Sequence, residues 1–185
     1  MSIQSPNASS VSRALARFDL IERGLCLSLN RWSHHGGIRI GFALVSRLGD
    51  GIFWYLLMLL LPLMYGTRGL QVSLVMAITG LLGLVIYKAL KSRLVRERPF
   101  ASHPGILCGT APLDRYSFPS GHTLHAVLFT SLAVSAFPAL AWVLVPFAGL
   151  VALSRVILGL HYPSDVVVGA GLGLALAVLA SRLIA

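Results

Sequence analysis

From residue 116 to residue 154 the chain carries no Lys, Arg, Asp or Glu. That is too long for one bilayer crossing, which takes ~20 helical residues over about 30 Å of hydrocarbon. The stretch is broken once, at Phe137-Pro138, where proline cannot extend a helix begun before it. It therefore predicts a helical hairpin, 122–137 and 139–158. Lipid offers the backbone no hydrogen bonds, so only helices and closed barrels cross it. Hydrophobic residues make up 56% and charged residues only 11% of the chain, against ~25% charged in soluble domains. These features predict an all-α integral membrane protein.

Three more segments read as spans. The first, 42–65, has Arg47 and Asp50 in its opening turns and Trp54, Tyr55 and Tyr65 as interfacial anchors. A tight turn at 66–69 leads to the second, 70–90. The last, 165–181, carries Gly169 and Gly173 among alanines, a pattern that lets helices approach closely. Residues 9–32 place Leu15, Phe18, Ile21, Leu25 and Leu29 on one helical face, but five charged residues interrupt them. That segment is an amphipathic helix, either lying in the interface or packed on the spans. The expectation is five transmembrane helices preceded by this helix, with residues 1–40 as an N-terminal segment and 41–185 as the membrane domain. Met1 to Ser12 is polar and shows no leader-like apolar core.

The net charge of +9 raises the question of nucleic acid, but no nucleic-acid-binding module surrounds the basic residues. They flank the spans, where lipid head groups or phosphate esters are the fitting partners. Cys26 and Cys108 have no metal-ligand spacing, and His34-His35 have no further ligands near them in sequence.

Three polar clusters fall on one side of the membrane by counting spans. Lys91 and Arg98 are seven apart, two turns along nearly one helical face, and Pro99 ends the helix. An Arg fork and a Lys point charge aimed together suit a phosphate. Arg93 and Arg96 beside them read as interfacial anchors. Pro119-Ser120-Gly121-His122 opens a helix whose N-terminus favours an anion, with Ser120 a donor and His122 placed to pass a proton. His125, one turn on, reads as a lining residue. In the third cluster, Arg155 ends an apolar run, and His161 and Asp165 follow with the spacing of a carboxylate that orients an imidazole.

Taken in order, Lys91-x6-Arg98-Pro99, Pro119-Ser120-Gly121-His122 and Ser154-Arg155-x5-His161-x3-Asp165 resemble the three signatures of the type 2 phosphatidic acid phosphatase superfamily. The resemblance covers about residues 40–185 and matches every motif position. It implies that His161 is a nucleophile forming a phosphohistidine, with Asp165 orienting its ring. It implies that His122 is the general acid, and that Lys91, Arg98, Ser120, Gly121 and Arg155 cradle the phosphate. No metal or cofactor is implied. Undecaprenyl diphosphate, phosphatidylglycerol phosphate and phosphatidate are the substrates that small bacterial members imply. The vanadium haloperoxidases of the same superfamily are soluble, against five spans. A non-catalytic lipid-phosphate binder or transporter would have no need of His122, His161 and Asp165. Of the 15 Lys and Arg, all but Arg68 and Arg182 lie on the site's side, which by the positive-inside rule points to the cytoplasm. The resemblance points instead to the periplasmic face of a bacterial inner membrane.

Overall fold

The computed structural model describes residues 10–184, without the side chains of residues 10–15, and so leaves out most of the polar opening stretch and Leu15 of the N-terminal stripe. Among the described residues all regular structure is helical. Three of the described helical stretches are long and apolar enough to cross a membrane: Gly36–Arg93, Pro138–Ile157 and Pro163–Ser181.

The first of these doubles back on itself. It comprises α2 (Gly36–Arg47), a π-helical turn (Leu48–Ile52) and α3 (Phe53–Arg93). Gly66 inside α3 takes φ 59° and ψ −137°, a conformation open to glycine because it has no Cβ. Past that point the chain runs back along its own first half. The Ser73 hydroxyl donates to the Met58 carbonyl at 2.7 Å, and Gly69 lies so close to the Leu61 carbonyl that a Cβ would stand 2.0 Å from its oxygen. The reversal expected at 66–69 is therefore present, while the helix before it starts earlier than residue 42.

After a short turn, α4 (Pro99–Ser102), the uncharged stretch forms α5 (Gly121–Ala136) and α6 (Ala141–Ile157), separated at Phe137-Pro138 as expected. The helix α5 is central, with Leu124, Leu128 and Leu132 fully buried against α3, α6 and α7 (Pro163–Ser181). Gly169 and Gly173 of α7 face the Ser120 and Leu124 carbonyls, where a Cβ would sit 2.5 Å and 2.3 Å from the oxygens. Close approach at these two glycines locks the start of α5 to the start of α7, and so brings the second and third sequence clusters together. Outward faces carry Leu63, Ile78, Leu81, Trp142 and Leu179. A helical bundle with an apolar exterior is what lipid, not water, would cover.

The helix α1 (Ser10–Asn30) packs on α6 and α7 through a polar line, Glu22, Cys26 and Asn30, all buried. Its apolar residues Phe18, Ile21 and Leu25 face outward. Asn30 donates to the Leu107 and Ile157 carbonyls at 2.9 and 2.8 Å and accepts from Leu107 N–H at 2.7 Å. The N-terminal helix thus ties the long polar loop to the end of α6.

Candidate active site

At the end of the bundle where α3 finishes and α5 begins, a cavity of about 420 Å³ opens. Its polar end is formed by Lys91, Arg98, His122, Arg155 and His161; its other end is lined by Trp54, Met58, Leu84 and Phe129. All three sequence clusters contribute to it.

Lys91 lies in the last turn of α3, but that helix ends at Arg93, before Pro99 is reached, so the expected helical face shared by Lys91 and Arg98 does not form. Arg98 is the extended residue (φ −76°, ψ 151°) that precedes Pro99 at the start of α4. Arg98 Nη1 donates to the Leu160 carbonyl at 2.7 Å and stands 3.4 Å from His161 Nε2. Arg155 is 3% exposed at the end of α6. It donates to the Ser46 hydroxyl, and its Nε has no partner. A buried guanidinium with an unused donor at a cavity wall is suited to an anion.

His161 reaches the cavity through a turn that needs glycine. Gly159 has φ 72°, and a Cβ there would stand 2.7 Å from the Leu107 carbonyl oxygen. The N–H groups of Leu160 and His161 then both donate to the Arg155 carbonyl, at 3.0 and 3.1 Å. Nδ1 of His161 faces Asp165 Oδ2 at 3.6 Å with no closer partner, while Nε2 faces the cavity. A proton held on the carboxylate side leaves a lone pair on Nε2, where Arg98 Nη1 stands 3.4 Å away as a donor. Burial, then the charges of Arg155, Arg98 and Lys91, push His161 well below the usual imidazole range, so the ring is neutral at pH 7.

Asp165 is fully buried in the first turn of α7 and accepts from Tyr162 N–H at 2.8 Å and from Arg96 Nη1 at 2.7 Å. Arg96 therefore corrects the expectation of an anchor snorkelling to head groups. It is clamped between Asp165 and Glu22, which it meets at 2.5 Å, and lies 3.9 Å from the Tyr162 ring centroid. Burial lowers its basicity, but the two carboxylates outweigh this and raise it. Arg93 stays exposed. Glu22 also accepts from Ser164 N–H at 2.8 Å, so α1 reaches the Arg96–Asp165 pair that faces His161. Beside it, burial and then Glu22 push the Cys26 thiol up to about 12, which keeps it un-ionised.

The start of α5 brings Gly121 and His122 to the cavity. His122 Nε2 stands 3.2 Å from Asp50 Oδ1. Asp50 is aimed there by the π turn, an extra residue wound into a helix that recurs at functional sites, with Gly51 at φ 137°. Ser120 is placed differently from the rest of the expected cradle. It is fully buried as the helix N-cap, its hydroxyl 3.0 Å from the Thr123 hydroxyl. His125 lines the cavity with both ring nitrogens beside backbone carbonyls, Gly121 at 2.9 Å and Gly80 at 3.0 Å. Asp114, on the loop before α5, bridges Lys91 and Arg98. Among the described residues, no three His, Cys, Asp or Glu side chains gather closely enough to hold a metal.

A model of the PAP2 superfamily matches residues 68–185, a span that contains all three clusters. The chain belongs to the PAP2 superfamily. A decaprenylphosphoryl-5-phosphoribose phosphatase of Mycobacterium tuberculosis is 33% identical over 177 residues, 94% of this chain and 89% of that one. An undecaprenyl-diphosphatase of Sulfolobus acidocaldarius is 33% identical over 131 residues, 70% of this chain. The chain spans 62% of that relative's length and 39% of another curated relative's. The crystal structure of LpxE from Aquifex aeolicus superposes with a TM-score of 0.74 at 23% identity, over 86% of this chain and 93% of that one. That likeness shows that the fold is shared.

Proposed function

We propose that this PAP2 protein is a membrane lipid phosphatase that hydrolyses a lipid-linked phosphate or diphosphate through a phosphohistidine on His161. One observation supports this most: a single cavity joins a cationic end holding two histidines to an end lined by Trp54, Met58, Leu84 and Phe129. A phosphate head group fits the first and the start of its lipid tail the second. Tyr55 and Leu81, also at the cavity, are exposed on the bundle's outer side, so the tail can remain in the bilayer.

In this reading Lys91, Arg98, Arg155 and the Gly121 N–H hold the phosphoryl oxygens and stabilise the charge of the transition state. Nε2 of His161 attacks phosphorus as the bond to the leaving oxygen breaks, and Asp165 supports the positive charge on the ring. His122, held by Asp50, gives its proton to the leaving oxygen. It then takes one from the water that displaces His161, which releases inorganic phosphate. The relatives named for decaprenylphosphoryl-5-phosphoribose and for undecaprenyl diphosphate support a polyprenyl substrate; phosphatidylglycerol phosphate and phosphatidate belong in the same panel.

Protein cations supply the charge stabilisation here, so phosphate release from purified protein should persist in excess EDTA, and orthovanadate should inhibit it. Loss of activity in chelator and its return with Mg²⁺ would contradict the reading. The chain is proposed to cross a bacterial inner membrane five times within residues 41–185, with α1 packed on that domain and the site facing the periplasm. Cys108 lies exposed on the loop beside the site, while Cys26 is buried. A membrane-impermeant maleimide added to intact cells should therefore label Cys108. Labelling only after lysis would put the site in the cytoplasm.

A further inference from the structure

Asp114 occupies donors of Lys91 and Arg98 that the proposed reading gives to a phosphate. Its carboxylate lies 2.8 and 2.9 Å from Lys91 Nζ and 2.5 Å from Arg98 Nη2, so it engages two of the three cations at the polar end of the cavity. The residue belongs to the loop between α4 and α5, and its side chain is about one-third exposed (36%). A carboxylate at such a position is the geometric stand-in for two phosphoryl oxygens.

The contact sets Asp114 against substrate. Lys91 Nζ and Arg98 Nη2 already point their hydrogens at its carboxylate. A phosphate monoester, about −1.5 to −2 at pH 7, needs the same donors and is repelled by the carboxylate that holds them. Burial favours the protonated form of Asp114, yet its contacts with Lys91 and then Arg98 outweigh this and hold the carboxyl below the usual range. The group is therefore ionised at pH 7.

Arg98 does not depend on the carboxylate for its position. Nη1 is fixed on the Leu160 carbonyl at 2.7 Å and Nε on the Asp114 carbonyl oxygen at 3.1 Å. A rotation of the Asp114 side chain would free Lys91 Nζ and Arg98 Nη2 while both anchors stay.

Resting on the phosphate-cradle reading above, we infer that Asp114 is a built-in competitor for the phosphate site, displaced by each incoming substrate and returning to help expel inorganic phosphate. It sets how strongly the site discriminates a dianionic phosphate from weaker anions. A carboxylate that only scaffolded Lys91 and Arg98 would have the opposite effect on binding when neutralised, so the sign of the change decides between them.

The test is calorimetric titration of inorganic phosphate into the purified full-length protein in detergent, for wild type, Asp114→Asn and Asp114→Ser. Removing a charged competitor from a partly desolvated site should tighten phosphate binding by about tenfold, and lower KM for lipid phosphate in the same direction. Asp114→Glu should bind like wild type. Unchanged or weaker phosphate binding in both neutral variants, with wild type binding normally, overturns the competitor role alone. Absence of phosphate binding in wild type as well as in the variants overturns the cradle and, with it, this inference. Where Asp114→Asn unfolds, Asp114→Ser carries the comparison, and the phosphate-induced rise in melting temperature supplies a second reading of the same sign.

Discussion

His161→Ala is expected to lower turnover of every phosphate ester by about 10⁴-fold or more, the scale of losing a nucleophile in a covalent mechanism. The protein should still insert and elute as a folded species, because the side chain lies at the cavity wall rather than in the leucine-rich core around α5. Asp165→Asn should do less damage, since the role proposed for that residue is to orient the ring and not itself to react. The pH profile gives an independent check. The proposed nucleophile is the neutral ring, and burial with the charges of Arg155, Arg98 and Lys91 depresses its proton affinity. Activity is therefore kept as the medium becomes acidic and is lost only as pH falls through the lowered value. The acid limb of kcat/KM assigned to the nucleophile should lie below ~6.5, the ordinary imidazole value. Replacing Arg98 by Met should move that limb upward, because one of the charges that oppose protonation is gone. A limb that stays put in Arg98→Met, or full activity in a folded His161→Ala protein, would contradict the assignment.

His122→Ala should separate two kinds of substrate. A lipid alcohol is a poor leaving group whose oxygen must be protonated as its bond to phosphorus breaks, whereas p-nitrophenolate leaves with little help. Loss of a general acid costs about 10²–10⁴-fold where its proton is needed. Lipid-phosphate turnover should fall by that order, with a much smaller fall for p-nitrophenyl phosphate, provided single-turnover kinetics show that phosphorylation limits both. Asp50, 3.2 Å from His122, is placed to hold the ring for the proposed exchange, in a cavity otherwise dominated by cations. Equal losses for both esters would mean that His122 binds phosphate without donating the proton, and His125 would be the next residue to test.

Much of this was legible in the sequence because the informative signals are local. Pro138 divides an uncharged stretch, Gly66 permits a reversal, and Gly169 and Gly173 mark where a helix can be approached. The clusters are also local, each held within a dozen residues, so their side chains could be named before their neighbours were known. The pairings that complete the site join distant positions. Glu22 and Arg96, 74 residues apart, meet only because α1 lies across α6 and α7. Arg96 looks from its surroundings like any basic residue at a membrane edge. Asp114 in a polar loop and Asp50 at the start of a span gave no local sign of facing Lys91 or His122. The π turn that aims Asp50 is invisible to a helical periodicity, because one extra residue in a turn leaves composition unchanged. Ser120 shows the converse: its type and place suit either a phosphate donor or an N-cap, and packing against Thr123 and α7 gives it the second position.

Rapid-quench labelling tests directly for the proposed phosphohistidine. Purified protein would be mixed with a lipid substrate labelled in its terminal phosphate, stopped in alkali within one turnover, and digested for peptide mapping. A phosphoryl group that is stable to base and labile to acid, carried by the peptide containing His161 and absent from the His161→Ala protein, is the expected result. Phosphate release at the full rate with no labelled protein at any time, or the same label in His161→Ala, would show that water or another side chain attacks phosphorus.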